Sequence, residues 1–332
     1  MRLLTELALL GGRLDAVRAW PAADGSLTVE GRDAEGRLRA GRLTGAGLEL
    51  TEFGSDRKLP GLAVRDGDRL LVHRLNKRAV LRRNDHYVKV LRKGRAEGVL
   101  AASRALAAPC AGAGIATADV VASDGDTITF APLAGRTLHD LADDGLDGWS
   151  ALADAWPALA AARVGLPAHD AAREAETLLT WVGHAEAFAA FPAHAPALRA
   201  AAERVARDLV DGRADREALV HRDLHDKQAL WEAGSGTLGL LDLDTAARGE
   251  AALDLANLGV HLDLRVRQGV LASGTARQVR AVLAPVADAV GATAERLALY
   301  ARSTRLRLAC VYAFRPDAGP WLGGWLDDAL SA

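Results

Sequence analysis

Short apolar runs separated by glycine and Asp-Gly turns fill residues 13 to 64, as in SLTVEGRDAEGRLRAGRL. This alternation predicts a small antiparallel meander ending near Lys58-Leu59-Pro60-Gly61. Three further strand patterns follow, RLLVHR, RAVLRR and HYVKVL, joined by Leu75-Asn76-Lys77 and a tight Asn84-Asp85 turn, and the simplest account is three consecutive hairpin strands. In RAEGVLAASRALAAP the apolar residues recur at helical spacing, and the helix is predicted to stop before Pro109. TADVVAS and DTITFAPL read as two more strands. From Trp149 to about Val210 the pattern is helical and alanine-rich, broken at Pro157, Pro167, Pro192 and Pro196. TLGLLDLDTAARG then holds a short apolar strand ending in acidic residues, and from Leu253 the helical pattern returns. The change from β-rich to α-rich near Gly135 predicts an α+β protein with two lobes.

Composition narrows the class without naming a chemistry. A chain of 332 residues, half of them hydrophobic and a quarter charged, has the balance of an ordinary globular protein large enough for two lobes. A formal net charge of −2 provides no basic footprint, so nucleic acid is not an expected partner. No run reaches the length of a membrane span. The N-terminal run MRLLTELALLGGRLDAV is interrupted by Glu6 and is followed by no cleavage pattern, so a cytoplasmic protein is expected, as monomer or homodimer. Cys110 and Cys310 are too few and too far apart for a disulfide framework, and apolar neighbours predict buried free thiols. Apart from His221 and His225, the histidines are scattered without metal-ligand spacing.

The chemistry concentrates in VHRDLHDKQAL, residues 220 to 230, which opens like the phosphoryl-transfer loop H-R-D-L-x-x-x-N but carries Gln228 at its last position. Phosphoryl transfer needs a group to accept the proton of the attacking hydroxyl, ligands for Mg²⁺, and a cation on the nucleotide phosphates. Asp223 is the candidate base, with His221 holding the loop. Asp242, at the end of LGLLD, offers a hard carboxylate to a hard ion, and the Gln228 amide oxygen offers a second ligand. Lys89 in HYVKVL would reach the α and β phosphates, with Glu97 at the start of the next helix to orient it. Between the first two hairpin strands, Arg74-Leu75-Asn76-Lys77-Arg78 contains no glycine to bring N–H groups close to phosphate, so Lys77 and Arg78 are expected to supply charge instead.

H-R-D-L-H-x-x-Q, followed by L-L-D-L-D-T and L-D-L-A-N-L, resembles the aminoglycoside phosphotransferase and choline kinase-like family, whose usual pattern is H-G-D-x-H-x-x-N, I-D-x-[DE] and G-D-P-x-x-D-L-A. FAPLAGRTLHDL and VKVLR extend the resemblance over about residues 65 to 265. It implies a bilobal protein kinase-like fold with a β-rich N-lobe over 65 to 134 and a helical C-lobe over 135 to 332, to which the meander, over residues 1 to 64, is added as a cap or extension of the N-lobe. It also implies ATP or GTP and Mg²⁺ as cofactors. Asp223 becomes the catalytic aspartate, Asp242 the metal aspartate, Lys89 the nucleotide lysine and Asp254 a structural aspartate that hydrogen-bonds the catalytic loop. Phe130, Ala131, Pro132 and Leu133 would present backbone groups to the base, and Asp244 would sit near the metal or the acceptor.

Only TAARGEAAL separates Asp244 from Asp254, no A-P-E follows and position 225 is histidine, so a small-molecule hydroxyl is expected as acceptor rather than a protein. Maltokinase-like sugar kinases resemble this chain in carrying glutamine at the position of Gln228. An aminoglycoside or amino sugar should be met by a surplus of carboxylates, for which Asp226, Asp244, Asp263, Asp317, Asp327 and Asp328 are candidates. A neutral sugar or a choline-like alcohol would want amides or an aromatic cage. The same motifs also suit a regulatory pseudokinase, on the strength of Gln228 and the glycine-free turn, or a peptide-modifying kinase of a biosynthetic pathway. Trp321 and Trp325, four residues apart on one helix face, are expected to pack in the core.

Overall fold

A computed structural model describes residues 12–331 together with Leu3, Leu7 and Leu10. Most of the N-terminal apolar run, expected not to be a cleaved leader, lies outside the described residues. Among the described residues no helix is long and apolar enough to cross a membrane.

The alternating N-terminal segment forms a four-stranded antiparallel meander in sequential order, β1 (Asp15–Pro21), β2 (Leu27–Arg32), β3 (Leu38–Thr44) and β4 (Gly47–Leu50). Its turns use local side-chain bonds: Ser26 donates to Asp24 through both its backbone N–H and its hydroxyl. The three hairpin strands follow as expected, β5 (Arg69–Arg74), β6 (Arg78–Arg83) and β7 (His86–Leu91). After helix α1 (Ala96–Gly112), the chain continues through β8 (Ile115–Thr117), β9 (Val120–Asp124) and β10 (Thr127–Phe130). A five-stranded sheet results, in the order β5-β6-β7-β10-β9.

Two boundaries differ from expectation. Helix α1 runs through Pro109 to Gly112, because a proline in the last turn forfeits only one backbone bond and its fixed φ suits the helix. TADVVAS is split between two sheets: β8 pairs in parallel with a strand of the second lobe, and β9 pairs with β10.

The second lobe opens with β11 (Arg136–Thr137) and a single-turn helix α2 (Leu138–Leu141), whose N-cap Thr137 accepts from the Asp140 N–H. Helices α3 (Leu146–Ala160), α4 (Ala171–Ala187) and α5 (Ala195–Asp211) lead to β12 (Glu217–Val220). Pro157 again falls in a last turn, Pro167 and Pro192 fall between helices and Pro196 starts α5. Strands β13 (Ala229–Glu232), β14 (Thr237–Leu240) and β15 (Ala247–Glu250) are followed by α6 (Ala252–Arg267), α7 (Ser273–Val290), α8 (Ala294–Tyr312) and α9 (Gly319–Ser331). The expected α+β architecture, with a β-rich N-terminal half and a helical C-terminal half, is present.

The meander is tied to both halves. Ala19 N–H donates to the Phe314 carbonyl between α8 and α9, and the buried Glu30 carboxylate accepts the His73 N–H of β5 at 2.5 Å. Leu14, Ala19, Leu27 and Val29 share a core with the C-terminal helices, while Leu38 joins the core of the five-stranded sheet. Trp325 is buried, its Nε1 donating to the Arg305 carbonyl, and Trp321 packs edge-on against Tyr312 at 5.0 Å.

Candidate active site

The loop between β12 and β13 carries Asp223, and its shape is imposed from below. Asp254, in the first turn of α6, is buried and accepts the backbone N–H groups of His221 at 2.6 Å and Arg222 at 2.9 Å. Burial outweighs His221 and these two backbone bonds and pushes the Asp254 carboxyl up to about 6. Arg222, placed between the two loop residues, has φ of 72°, a left-handed conformation that is uncommon outside glycine. His221 Nε2 contacts the Leu241 carbonyl at 2.8 Å, and Thr245 Oγ1 donates to the His221 carbonyl. The loop is thereby bonded to the segment that carries Asp242 and Asp244.

A second clamp lies on the opposite side of the loop. Asp226 is buried and receives two hydrogen bonds from the Arg265 guanidinium, at 2.7 and 2.8 Å, and a 2.8 Å contact from His139 Nδ1. Burial alone would raise its carboxyl, but His139, His225 and Arg265 outweigh it and hold Asp226 far below the usual range. His225 stacks on His261 at 4.6 Å, accepts the Lys227 N–H on Nδ1 and stands 3.9 Å from the Asp223 carboxylate through Nε2.

Strand β14 ends at Leu240, and Asp242 follows in a left-handed conformation, φ 54°. Lys89 of β7 reaches it: Nζ lies 3.1 Å from Asp242 Oδ1 and also bonds Asp244 Oδ2. Arg78 Nη1 stands 3.8 Å from the other Asp242 oxygen. Burial would raise Asp242, but Lys89 and Arg78 overcome it and lower the carboxyl. Two carboxylates converging on cations suit a divalent ion. The Gln228 backbone carbonyl accepts the Leu241 N–H at 2.8 Å, which keeps the residue beside Asp242, and among the described residues its side-chain amide has no hydrogen-bond partner.

A cavity of about 540 Å³ lies between the five-stranded sheet and the second lobe, lined by Val72, Val80, Phe130, Leu133 and Leu240 and ending at Lys89, Asp242 and Asp244. At the connecting segment, Ala131 N–H is already bonded to the Asp119 carbonyl, and Pro132 has no N–H and does not line the cavity. Among the described residues the Leu133 N–H and the Ala131 carbonyl have no backbone partner. Gly135 closes the segment with φ of 96°, where an added Cβ would stand 2.6 Å from the Trp231 carbonyl.

Several expectations are corrected. Glu97 is exposed in the first turn of α1 and makes no pair with Lys89, which is held by Asp242 and Asp244; Ser103, further along α1, lines the cavity. Lys77 is exposed in the hairpin turn and does not line the cavity, whereas Arg78 does. The turn needs no glycine because Asn76 takes the left-handed position, φ 59°. The expected surplus of acceptor carboxylates is mostly neutralised. Asp226 belongs to Arg265, Asp263 to Arg280 and Arg305, Asp328 to Arg267, and Asp327 lies 3.4 Å from His194. Sequence reasoning missed Arg265 and His139, and no spacing signal connects either to position 226.

A β-sheet lobe with a buried lysine, a connecting segment and a helical lobe bearing the aspartate loop define the bilobal protein kinase-like fold, as found in small-molecule kinases. The solved structures it matches include the amicoumacin kinase hAmiN, at a TM-score of 0.59 and 12% identity over 80% of this chain and 88% of that one. The choline kinase LicA from Streptococcus pneumoniae matches at 0.53 and 12%, over 80% and 92% of the two chains. An aminoglycoside-3'-phosphotransferase of type VIII matches at 0.51 and 20%, over 73% and 94%. At such identities the shared property is the fold. No family model and no curated protein matches the sequence.

Proposed function

We propose that the protein transfers the terminal phosphate of a nucleoside triphosphate to a hydroxyl group of a small polar molecule. The observation that carries this reading is the convergence of Lys89, Asp242 and Asp244 at the end of the cavity, on a segment bonded through His221 and Thr245 to the loop presenting Asp223. The apolar walls and the open backbone edge at Ala131 and Leu133 suit a purine, and Lys89 and Arg78 suit its phosphates. Asp242, Asp244 and the Gln228 amide would hold Mg²⁺, which when bound shields the charge of the transferring phosphate. Asp223, half exposed at the loop surface, orients the acceptor hydroxyl and takes its proton.

The neutralised carboxylates speak to the acceptor. A polycationic aminoglycoside gains little from aspartates already paired with arginine, whereas a neutral sugar, an amino sugar with a single amine or an amino alcohol needs fewer free acids. The test is a γ-phosphate transfer screen over aminoglycosides, amino sugars, neutral sugars and amino alcohols, repeated with Asp223→Ala. That variant should lose roughly 10²- to 10⁴-fold in turnover while binding nucleotide like the parent. Full activity in the variant sinks the mechanism, and nucleotide binding without transfer to any acceptor points to a non-catalytic module.

A further inference from the structure

Where the meander meets both lobes, three arginines surround one tryptophan. The guanidinium carbons of Arg74, Arg315 and Arg18 stand 5.0, 5.4 and 5.6 Å from the centroid of the buried Trp20 ring. Two of them are satisfied. Arg18 holds Glu30 through Nε at 2.7 Å and Nη2 at 2.6 Å, and Arg315 Nη1 donates to the Ala19 and Phe314 carbonyls at 2.8 and 3.0 Å. Arg74 is not: among the described residues its side chain has no hydrogen bond or ion pair, and its Nε is buried without an acceptor. Glu30 is already shared between Arg18 and the His73 N–H, and the other carboxylate acting on the cluster, Asp317, bears on Arg315.

The positive charge is therefore in excess. Burial, then Arg78 and Arg18, push the Arg74 guanidinium below its usual range, and burial with Arg18 brings Arg315 to about 10. Cation–π contact with Trp20 favours each cation, yet it supplies no acceptor for a buried N–H.

The register of the β5–β6 hairpin says where this charge points. Arg74 is directly opposite Arg78, and Val72 is opposite Val80 on the neighbouring rung of the same face. Like charges facing each other across a ladder are destabilising. Val72, Val80 and Arg78 line the cavity, and Arg74, two residues beyond Val72 on the same face of the hairpin, stands next to that lining without belonging to it.

We propose that Arg74, with Arg18 and Arg315 around Trp20, forms an oxyanion subsite beside this end of the cleft, taking a phosphate group and assembled jointly by the meander, the hairpin and the segment between α8 and α9. Its occupant is the terminal phosphate of the nucleotide or an anionic group of the acceptor. That choice rests on reading the cavity as a nucleotide site, whereas the binding of an oxyanion does not.

The test uses inorganic phosphate on the full-length protein, with thermal melting and calorimetry as readouts and no turnover involved. Phosphate should raise the melting temperature of the parent. In Arg74→Gln its dissociation constant should rise about tenfold or more, the loss expected for a charge-assisted hydrogen bond, with Arg74→Lys in between. If the terminal phosphate is the occupant, Arg74→Gln weakens ATP by a similar factor, leaves ADP within twofold, and ATP displaces phosphate. If an acceptor anion is the occupant, phosphate binds alongside ATP and nucleotide affinity is unchanged. No phosphate binding by the parent, or equal binding by Arg74→Gln, overturns the proposal, and Arg18→Gln applies the same criterion should Arg74→Gln not fold. Because the readout is binding, such a failure is separate from a failure of the Asp223 mechanism.

Discussion

Asp226 and Asp254 are both buried, both clamp the loop that presents Asp223, and differ in what faces them. Asp226 meets a guanidinium fork and an imidazole, whereas Asp254, among the described residues, accepts two backbone N–H groups. A bonded guanidinium and imidazoles keep the first carboxylate ionised far into acid, whereas burial of the second outweighs His221 and the two backbone N–H groups and pushes it up to about 6. The loop is thus fixed on one side by a charge-compensated pair and on the other by hydrogen bonds whose strength depends on protonation. Burial alone does not set how an aspartate behaves.

The largest effect should come from breaking the compensated side. Asp226→Ala leaves the Arg265 guanidinium buried without its partner, and such a loss costs about 3 to 5 kcal/mol. Replacing both residues, Asp226→Leu with Arg265→Met, removes the uncompensated charge and should recover most of that stability. Chemical denaturation of the two variants checks this. If the double variant is as unstable as the single one, the pair is not the reason Asp226 matters.

Asp254→Asn should cost less, about 1 to 3 kcal/mol at neutral pH, because an amide leaves one of the two loop N–H groups without an acceptor. Its signature is the pH dependence. The folded carboxyl is raised above its unfolded value near 4, so the contribution of Asp254 is full below pH 4 and is lost as pH rises through about 6. Parent stability should therefore carry a decline on the order of 2 to 3 kcal/mol across that window that Asp254→Asn lacks. Asp226, with its folded carboxyl depressed, contributes fully above about 4 and loses its contribution only in stronger acid. Identical slopes in parent and Asp254→Asn between pH 4 and 6 would falsify the assignment.

Much of this scaffold is legible in the sequence. The β5–β7 hairpins follow from strict alternation with Asn and Asp turns, and the two-lobe division follows from the change of period near Gly135. The order of Lys89, Asp223, Asp242 and Asp254 is also readable, because each belongs to a motif with local spacing. What escapes is long-range pairing. Arg265 lies 39 residues from Asp226 and His139 lies 87 away, and nothing in a helical pattern marks one arginine of α6 as buried. Sequence separation alone brings Glu97 near Lys89, but helical phase turns it to solvent. Lys77 and Arg78 look alike in sequence because a hairpin's parity depends on its turn length, and one residue reverses the face.

The smallest effect separates the two partners of Asp226. His139 sits in α2, just beyond the segment that edges the cavity, and both its Nδ1 and its backbone N–H engage Asp226. His139→Leu deletes only the side-chain contact and leaves the Arg265 fork intact. The expected cost is about 0.5 to 1.5 kcal/mol, the net worth of one hydrogen bond, because Arg265 still compensates the buried charge. Nucleotide affinity should change little, since the backbone bond continues to hold α2 against the loop. A cost as large as that of Asp226→Ala would make the imidazole the principal counter-charge, and the pair with Arg265 would then no longer distinguish Asp226 from Asp254.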